Sequence, residues 1–256
     1  MRNRLIRYLL IIGIAFLAIG WNPQPSKALY STDWYVDNYA NTYPQYEQYE
    51  LPAVNSFRAN YNKSQAQALV GRAMWYMQYG YMVYGSLGYS TNGTISCSSY
   101  VSRVFKDMGY SLTSYASQYN TVGTRVSGVY SSLQPGSTSK YMLVGTANLK
   151  PGDIFTFWNT RSDGTRYISH VAIYVGMING KPWIINTIKG RPTAVGMLNS
   201  YTYWYGEHFQ EARRVLPASA QEPNSQGLLS TPVIPASYVL PPQHSVVLPA
   251  KLPAGF

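Results

Sequence analysis

Of the 256 residues only one is a cysteine and three are histidines, and ten acids face twenty Lys and Arg. A single cysteine excludes an intrachain disulfide framework and any cysteine-rich zinc module. Charged residues make up only 12%, so ion pairs cannot supply most of the surface polarity. That role falls to the 25 tyrosines together with Ser, Asn, Thr and Gln. No His and carboxylate group has metal-ligand spacing and no glycine-rich loop fits a phosphate, so neither a metal nor a cofactor is expected. The formal charge of +10 points to an anionic partner: nucleic acid, a membrane surface or a wall polymer.

The position of that charge narrows the choice. Arg2, Arg4 and Arg7 precede an apolar run from Tyr8 to Gly20, and Ser26-Lys27-Ala28 places small residues before a natural cleavage point. This is the pattern of a signal peptide over residues 1–28, with an apolar run short of the roughly 20 residues a spanning helix needs. Without Arg2, Arg4, Arg7 and Lys27, sixteen basic residues face ten acids over residues 29–256, or +6. Secretion and the smaller excess both argue against nucleic acid and leave an anionic cell-wall polymer as the better partner.

Three regions follow the leader. Residues 29–62 are tyrosine-rich with no sustained apolar period and read as a loosely packed arm or spacer. Residues 217–256 hold eight prolines and almost no charge, which reads as an extended tail. Between them, residues 63–216 carry the periodic signals. Ser64 with Gln67 makes a capping box, and Leu69, Val70, Ala73, Met74, Met77 and Tyr81 recur at helical spacing to near Gly80. A second helix is predicted from Cys97 to Met108, with the stripe Tyr100, Val101, Val104, Phe105 and Met108 and a stop at Gly109. Short strands are then predicted over 154–158, 169–175, 183–188 and 212–216, with Asn179-Gly180 as a hairpin signal. Helices first and strands afterwards give an α+β domain.

Cys97 thus starts a helix, where unpaired backbone N–H groups and the helix dipole favour a thiolate and could receive an oxyanion. A small buried core residue is the alternative for an unpaired cysteine, but the setting Ser96-Cys97-Ser98-Ser99 is polar. A nucleophilic thiol needs a base. His244 lies in the proline-rich tail and His208 at a loop or strand entry, whereas His170 opens a strand that can aim its ring at the helix end.

Tyr84-Gly85, then Ser96-Cys97-Ser98-Ser99-Tyr100-Val101, then Leu149-Lys150-Pro151-Gly152-Asp153-Ile154-Phe155, then His170-Val171-Ala172-Ile173-Tyr174-Val175-Gly176 resemble the NlpC family of secreted cell-wall cysteine peptidases. The motifs stand in the family's order and the resemblance covers about residues 65–216. It implies a papain-like α+β fold, with the cysteine helix packed on an antiparallel sheet that carries the histidine. It further implies cleavage of peptidoglycan stem peptides, typically after D-glutamate, with Cys97 as nucleophile, His170 as general base and Tyr84 as an oxyanion or substrate contact. Ser96 and Ser98 flank the nucleophile and are candidate substrate contacts. Ser96 stands where the family usually has Asp, and Ser99-Tyr100 where it usually has Gly-Phe. The segment from Gly109 to Leu149 is longer than usual and suggests an extra loop or flap.

The third member, commonly His in that family, is matched by Asn186, which can accept a hydrogen bond from the imidazole. A strict two-residue loop at Asn179-Gly180 would set Asn186 opposite Ile173, on the wrong face. The expectation is therefore a three-residue loop, Ile178 to Gly180, with Gly180 left-handed as in a G1 bulge, which sets Asn186 opposite Ala172. Asp153 reads as the carboxylate of a turn at a strand start rather than a catalytic acid. Trp75, Trp158 and Trp183 read as core or cleft wall. Two rival readings are a wall amidase of the related CHAP class and a non-catalytic, tyrosine-rich wall-binding or adhesive protein.

Overall fold

A computed structural model describes residues 46–79, 82–86, 88–89, 94–189 and 194–225. The leader, the arm up to residue 45, Tyr81, His244 and the tail from residue 226 lie outside the described residues. Helix α1 (Leu51–Ala59) follows a π-helical turn (Tyr46–Glu50), α2 spans Gln65–Tyr79, and α3 spans Cys97–Asp107. Short parallel strands β1 (Val83–Tyr84) and β2 (Thr94–Ile95) lead into α3. Strands β3 (Thr124–Arg125), β4 (Tyr130–Leu133), β5 (Tyr141–Val144), β6 (Ile154–Thr160), β7 (Arg166–Ile178), β8 (Lys181–Thr187), β9 (Val195–Leu198) and β10 (Phe209–Arg214) follow, with the one-turn α4 (Trp204–Glu207) before the last. Six of them form a sheet in the order β3-β10-β6-β7-β8-β9 with antiparallel neighbours. The arrangement is the expected α+β, papain-like one.

Ser64 caps α2 as predicted, its Oγ accepting from Gln67 N at 3.1 Å, but Gln67 reaches back to Asn62 N (2.6 Å) and not to Ser64. The predicted stripe of α3 is fully buried at Tyr100, Val101, Val104 and Phe105. Each such side chain stabilises by about 1.5–3 kcal/mol. Tyr100 Oη also donates to Ala73 O at 2.9 Å, tying α3 to α2. A buried ion pair joins the same helices: Arg72 Nε lies 2.8 Å from Asp107 Oδ2, which also accepts from Tyr76 Oη at 2.7 Å. This helical layer covers one face of the sheet through Val171, Ile173 and Val175. Alternation sends Ala172 and Tyr174 to the other face, where they meet Phe155, Phe157, Tyr201 and Phe209.

Two region boundaries differ from the sequence reading. The end of the supposed arm is α1, which begins with Pro52 in its first turn and buries Ala53, Val54 and Phe57 in the helical core. At the other end the domain runs past residue 216, because Ser225 Oγ accepts from Gln65 N (3.0 Å) and Asn224 N donates to Asn62 O (3.1 Å). The long segment between Gly109 and Leu149 is not an open flap. It holds a 3₁₀ turn (Ala116–Thr121) carrying the buried Tyr119, the edge strand β3, and the β4–β5 hairpin, where Tyr141 N donates to Thr202 O at 2.8 Å.

The hairpin between β7 and β8 corrects a specific expectation. Ile178 pairs with Lys181, so the loop is the strict two-residue Asn179-Gly180, with φ of 51° and 73°. Two positive φ values match a type I′ turn, which suits the twist of the flanking strands. The extra residue sits instead within β7: Tyr174 pairs with Ile184 and Gly176 with Trp183, leaving Val175 bulged. Gly176 has φ of 136°, a conformation only glycine adopts without strain. Beyond the bulge Ile173 pairs with Ile185, and the next step of that register sets Asn186 level with Ala172. The predicted pairing is reached by a different device.

Candidate active site

Ser96 is the N-cap of α3, its Oγ accepting from Ser99 N (3.3 Å) and donating to Ser99 Oγ (2.9 Å). That cap fixes the first turn and places Cys97 at its start. The Cys97 thiol is buried and unpaired. Its Sγ lies 3.9 Å from Ser169 O, and Ser169 is itself a bulged residue, since Phe157 pairs with His170 while Trp158 pairs with Ile168. Burial pushes the thiol's pKa up, while hydrogen bonds from the backbone N–H groups of Val171, Ser98 and Cys97 pull it back towards the thiolate.

His170 Nε2 lies 2.9 Å from Asn186 Oδ1. The same Oδ1 accepts from Tyr205 Oη at 3.0 Å, while Asn186 Nδ2 donates to Gly196 O at 3.4 Å. These partners fix which end of the Asn186 amide faces the histidine: the carbonyl faces His170, so Nε2 carries the proton and Nδ1 is left as the free base. Phe157, Trp204 and Tyr205 pack round the ring. Their burial of the imidazole lowers its pKa to about 4, partly offset by the Asn186 hydrogen bond. Tyr205 closes the circle, because burial and the charge of an ionised Cys97 together raise its pKa to about 12. One tyrosine thus lies within electrostatic reach of the thiol and holds the residue that holds His170. The thiol lies against the carbonyl of the residue that precedes His170, and both groups are buried and held in their neutral forms.

The model of the NlpC/P60 family matches residues 81–214. The chain belongs to the NlpC/P60 family. No curated protein matches it. Among solved structures, an NlpC/P60 family protein from Bacillus cereus is 22% identical with a TM-score of 0.42, covering 59% of this chain and 40% of its own. An NlpC protein from Trichomonas vaginalis is 19% identical with a TM-score of 0.40, covering 62% and 47%. The P60 domain of an antigen from M. avium subspecies paratuberculosis is 15% identical with a TM-score of 0.36, covering 59% and 98%. The chain therefore spans less than half the length of the first two.

In this NlpC/P60 chain His170 and Asn186 are in direct contact, and Cys97 lies against Ser169, the residue before His170. Tyr84, partly exposed in β1, stands near enough that an ionised Cys97 would raise its pKa, after burial as the larger cause. Ser96 serves as the helix cap. The hydroxyl of Ser98 is buried and donates to Ser114 O at 2.6 Å, and both its side chain and its backbone N–H interact with the Cys97 thiol. Asp153 is structural as predicted: its carboxylate accepts from Lys150 N (2.8 Å) and from Arg214 Nε and Nη2 (2.8 and 2.7 Å). His208 stacks between Trp158 and Trp204 and bonds Trp204 O. Tyr205 and Tyr119 escaped the sequence reading. Tyr119 Oη donates to Thr113 O (3.0 Å) and shares that hydrogen with Ser98 O at 3.3 Å, and burial, then the charge of an ionised Cys97, raise its pKa. Among the described residues no group of His, Cys, Asp and Glu could hold a metal ion, and no helix is long and apolar enough to cross a membrane.

Proposed function

We propose that this protein is a secreted peptidoglycan hydrolase that cuts an amide bond of the stem peptide, after D-glutamate, by thiol catalysis. The observation that carries this reading is the bond from His170 Nε2 to Asn186 Oδ1, which leaves Nδ1 as base in the same site as the helix-start Cys97. His170 draws the proton from Cys97, and Sγ adds to the stem-peptide carbonyl carbon. Backbone N–H groups at the start of α3 receive the oxyanion. The imidazolium then returns its proton to the leaving amine, and water releases the acyl group from sulfur with His170 again as base. Membership of a family of cell-wall peptidases, the basic leader and the +6 excess over residues 29–256 support a wall substrate and a place outside the cell.

Digestion of defined peptidoglycan by the wild-type protein and by Cys97→Ala, followed by mass spectrometry of the muropeptides, tests it. The expected result is cleavage within the stem after D-glutamate by wild type alone. Release of whole stem peptides would make it an amidase. Intact wall with both proteins bound to it would make it a wall-binding protein.

A further inference from the structure

Beside the site, between the 3₁₀ turn and the open ends of β6 and β7, lies a cavity of about 540 Å³. Ser117, Asn120, Trp158, Arg161, Arg166 and Tyr167 are among its walls, and among the described residues no acid lines it. Arg166 lies over the Trp158 ring at 3.8 Å, and Arg161 over the Tyr167 ring at 4.5 Å. A guanidinium laid on an aromatic face is held in place yet keeps the N–H donors along its edge free. Among the described residues the Arg166 guanidinium makes no hydrogen bond or ion pair. Arg161 donates one bond, to Thr165 Oγ1 at 3.3 Å. The one carboxylate of the β6–β7 turn, Asp163, accepts from Thr165 N (2.9 Å) and Thr165 Oγ1 (2.6 Å), and Arg161 helps lower its pKa. Arg166 is therefore the less neutralised of the two.

The cavity and the thiol are linked through neighbouring residues of the chain. Ile168, which lines it, precedes the Ser169 carbonyl that touches Cys97 Sγ. Ser117 and Asn120 flank Tyr119, which bonds the carbonyl of Ser98. We infer that this cavity is a carboxylate subsite, in which Arg166, with Arg161 in support, holds a free carboxylate carried by the same peptide whose carbonyl meets Cys97. The inference rests on the peptidase reading, since only a peptide spanning both places links them. A planar carboxylate matches the free edge of a stacked guanidinium by two parallel bonds.

The test compares stem peptides with free carboxylates against the same peptides with those carboxylates amidated. Binding to Cys97→Ala is measured by calorimetry, and cleavage by wild type, Arg166→Gln and Arg161→Gln. Free peptide is expected to bind and be cleaved about tenfold better than amidated peptide, and Arg166→Gln to remove that preference. Arg161→Gln is expected to reduce it by a smaller factor. Both arginines are exposed, and thermal unfolding of the variants should match wild type. Cleavage that ignores Arg166 and amidation overturns the subsite and leaves the peptidase reading standing. Arg166-dependent binding of free peptide without cleavage by wild type overturns the peptidase reading and leaves the subsite. Loss of binding to poly(glycerol phosphate) in Arg166→Gln, with peptide binding unchanged, overturns the carboxylate in favour of a wall-polymer phosphate.

Discussion

Replacing Asn186 with alanine tests the site at the point where fold and chemistry meet. Asn186 is fully buried, and its Oδ1 accepts from both His170 Nε2 (2.9 Å) and Tyr205 Oη (3.0 Å). Alanine leaves two donors in low-dielectric surroundings without acceptors. Each costs about 1–3 kcal/mol, so the fold should lose about 2–6 kcal/mol. The effect on the chemistry is separate. A bond of about 1–2 kcal/mol selects the tautomer with a free Nδ1 and holds the ring in plane. Losing that selection should lower kcat/KM by about five- to thirtyfold, at about 1.4 kcal/mol per factor of ten. Urea denaturation gives the first number and establishes the folded fraction, and initial rates on stem peptide at neutral pH give the second. Asn186→Asp keeps both acceptor positions and adds charge, so it should retain more activity and shift the acid limb of the pH profile upward. Wild-type kcat/KM in a folded Asn186→Ala protein would refute the assignment of Asn186 and, with it, the meaning given to the β7 bulge.

Further outcomes follow from the same geometry. Because burial raises the Cys97 pKa and lowers that of His170 to about 4, both groups are neutral at pH 7, and alkylation of Cys97 by iodoacetamide should rise about tenfold per pH unit through the neutral range. A flat rate between about pH 5 and 8 would instead reveal a thiolate–imidazolium pair in the resting protein. The lowered histidine pKa favours folding with the neutral ring, so its contribution is present above about pH 6.5 and lost as pH falls towards about 4; acid unfolding of His170→Gln should be correspondingly less steep. Asp153→Asn breaks a buried pair and should cost about 3 kcal/mol in urea midpoint while the folded fraction keeps its kcat/KM. Lost activity at unchanged stability would make Asp153 catalytic. Gly176→Ala forces alanine to φ of 136° and should cost about 1–3 kcal/mol, more than Gly180→Ala in the exposed turn, as read by thermal unfolding.

What the residues disclosed depended on the range over which their physics acts. Periodicity and capping are local, so α2, α3 and the central strands could be read from neighbours in the chain, and Cys97 fell at a helix start because Ser96 caps it. The turn role of Asp153 was equally local, whereas its second partner, Arg214, is 61 positions away and carries no signal of its own. Helix α1 escaped because its buried set is short and lies in a tyrosine-rich stretch with no long apolar period. Tyr205 escaped for a related reason: among Tyr201, Tyr203 and Trp204 nothing marks it as the one whose hydroxyl reaches Asn186. The register of Asn186 was correctly expected and wrongly explained. Asn179-Gly180 suited two loop types, and the deciding glycine lay upstream in a motif that had been read for its histidine.

That glycine has a consequence for anyone who would move this site to another scaffold. Grafting Cys97, His170 and Asn186 onto a helix and a regular two-stranded ribbon of the right size would deliver the asparagine to the far side of the sheet. The transplant would need Val175-Gly176 as well, two residues that touch none of the chemistry. In this protein the address of a polar side chain is written ten positions before the residue itself.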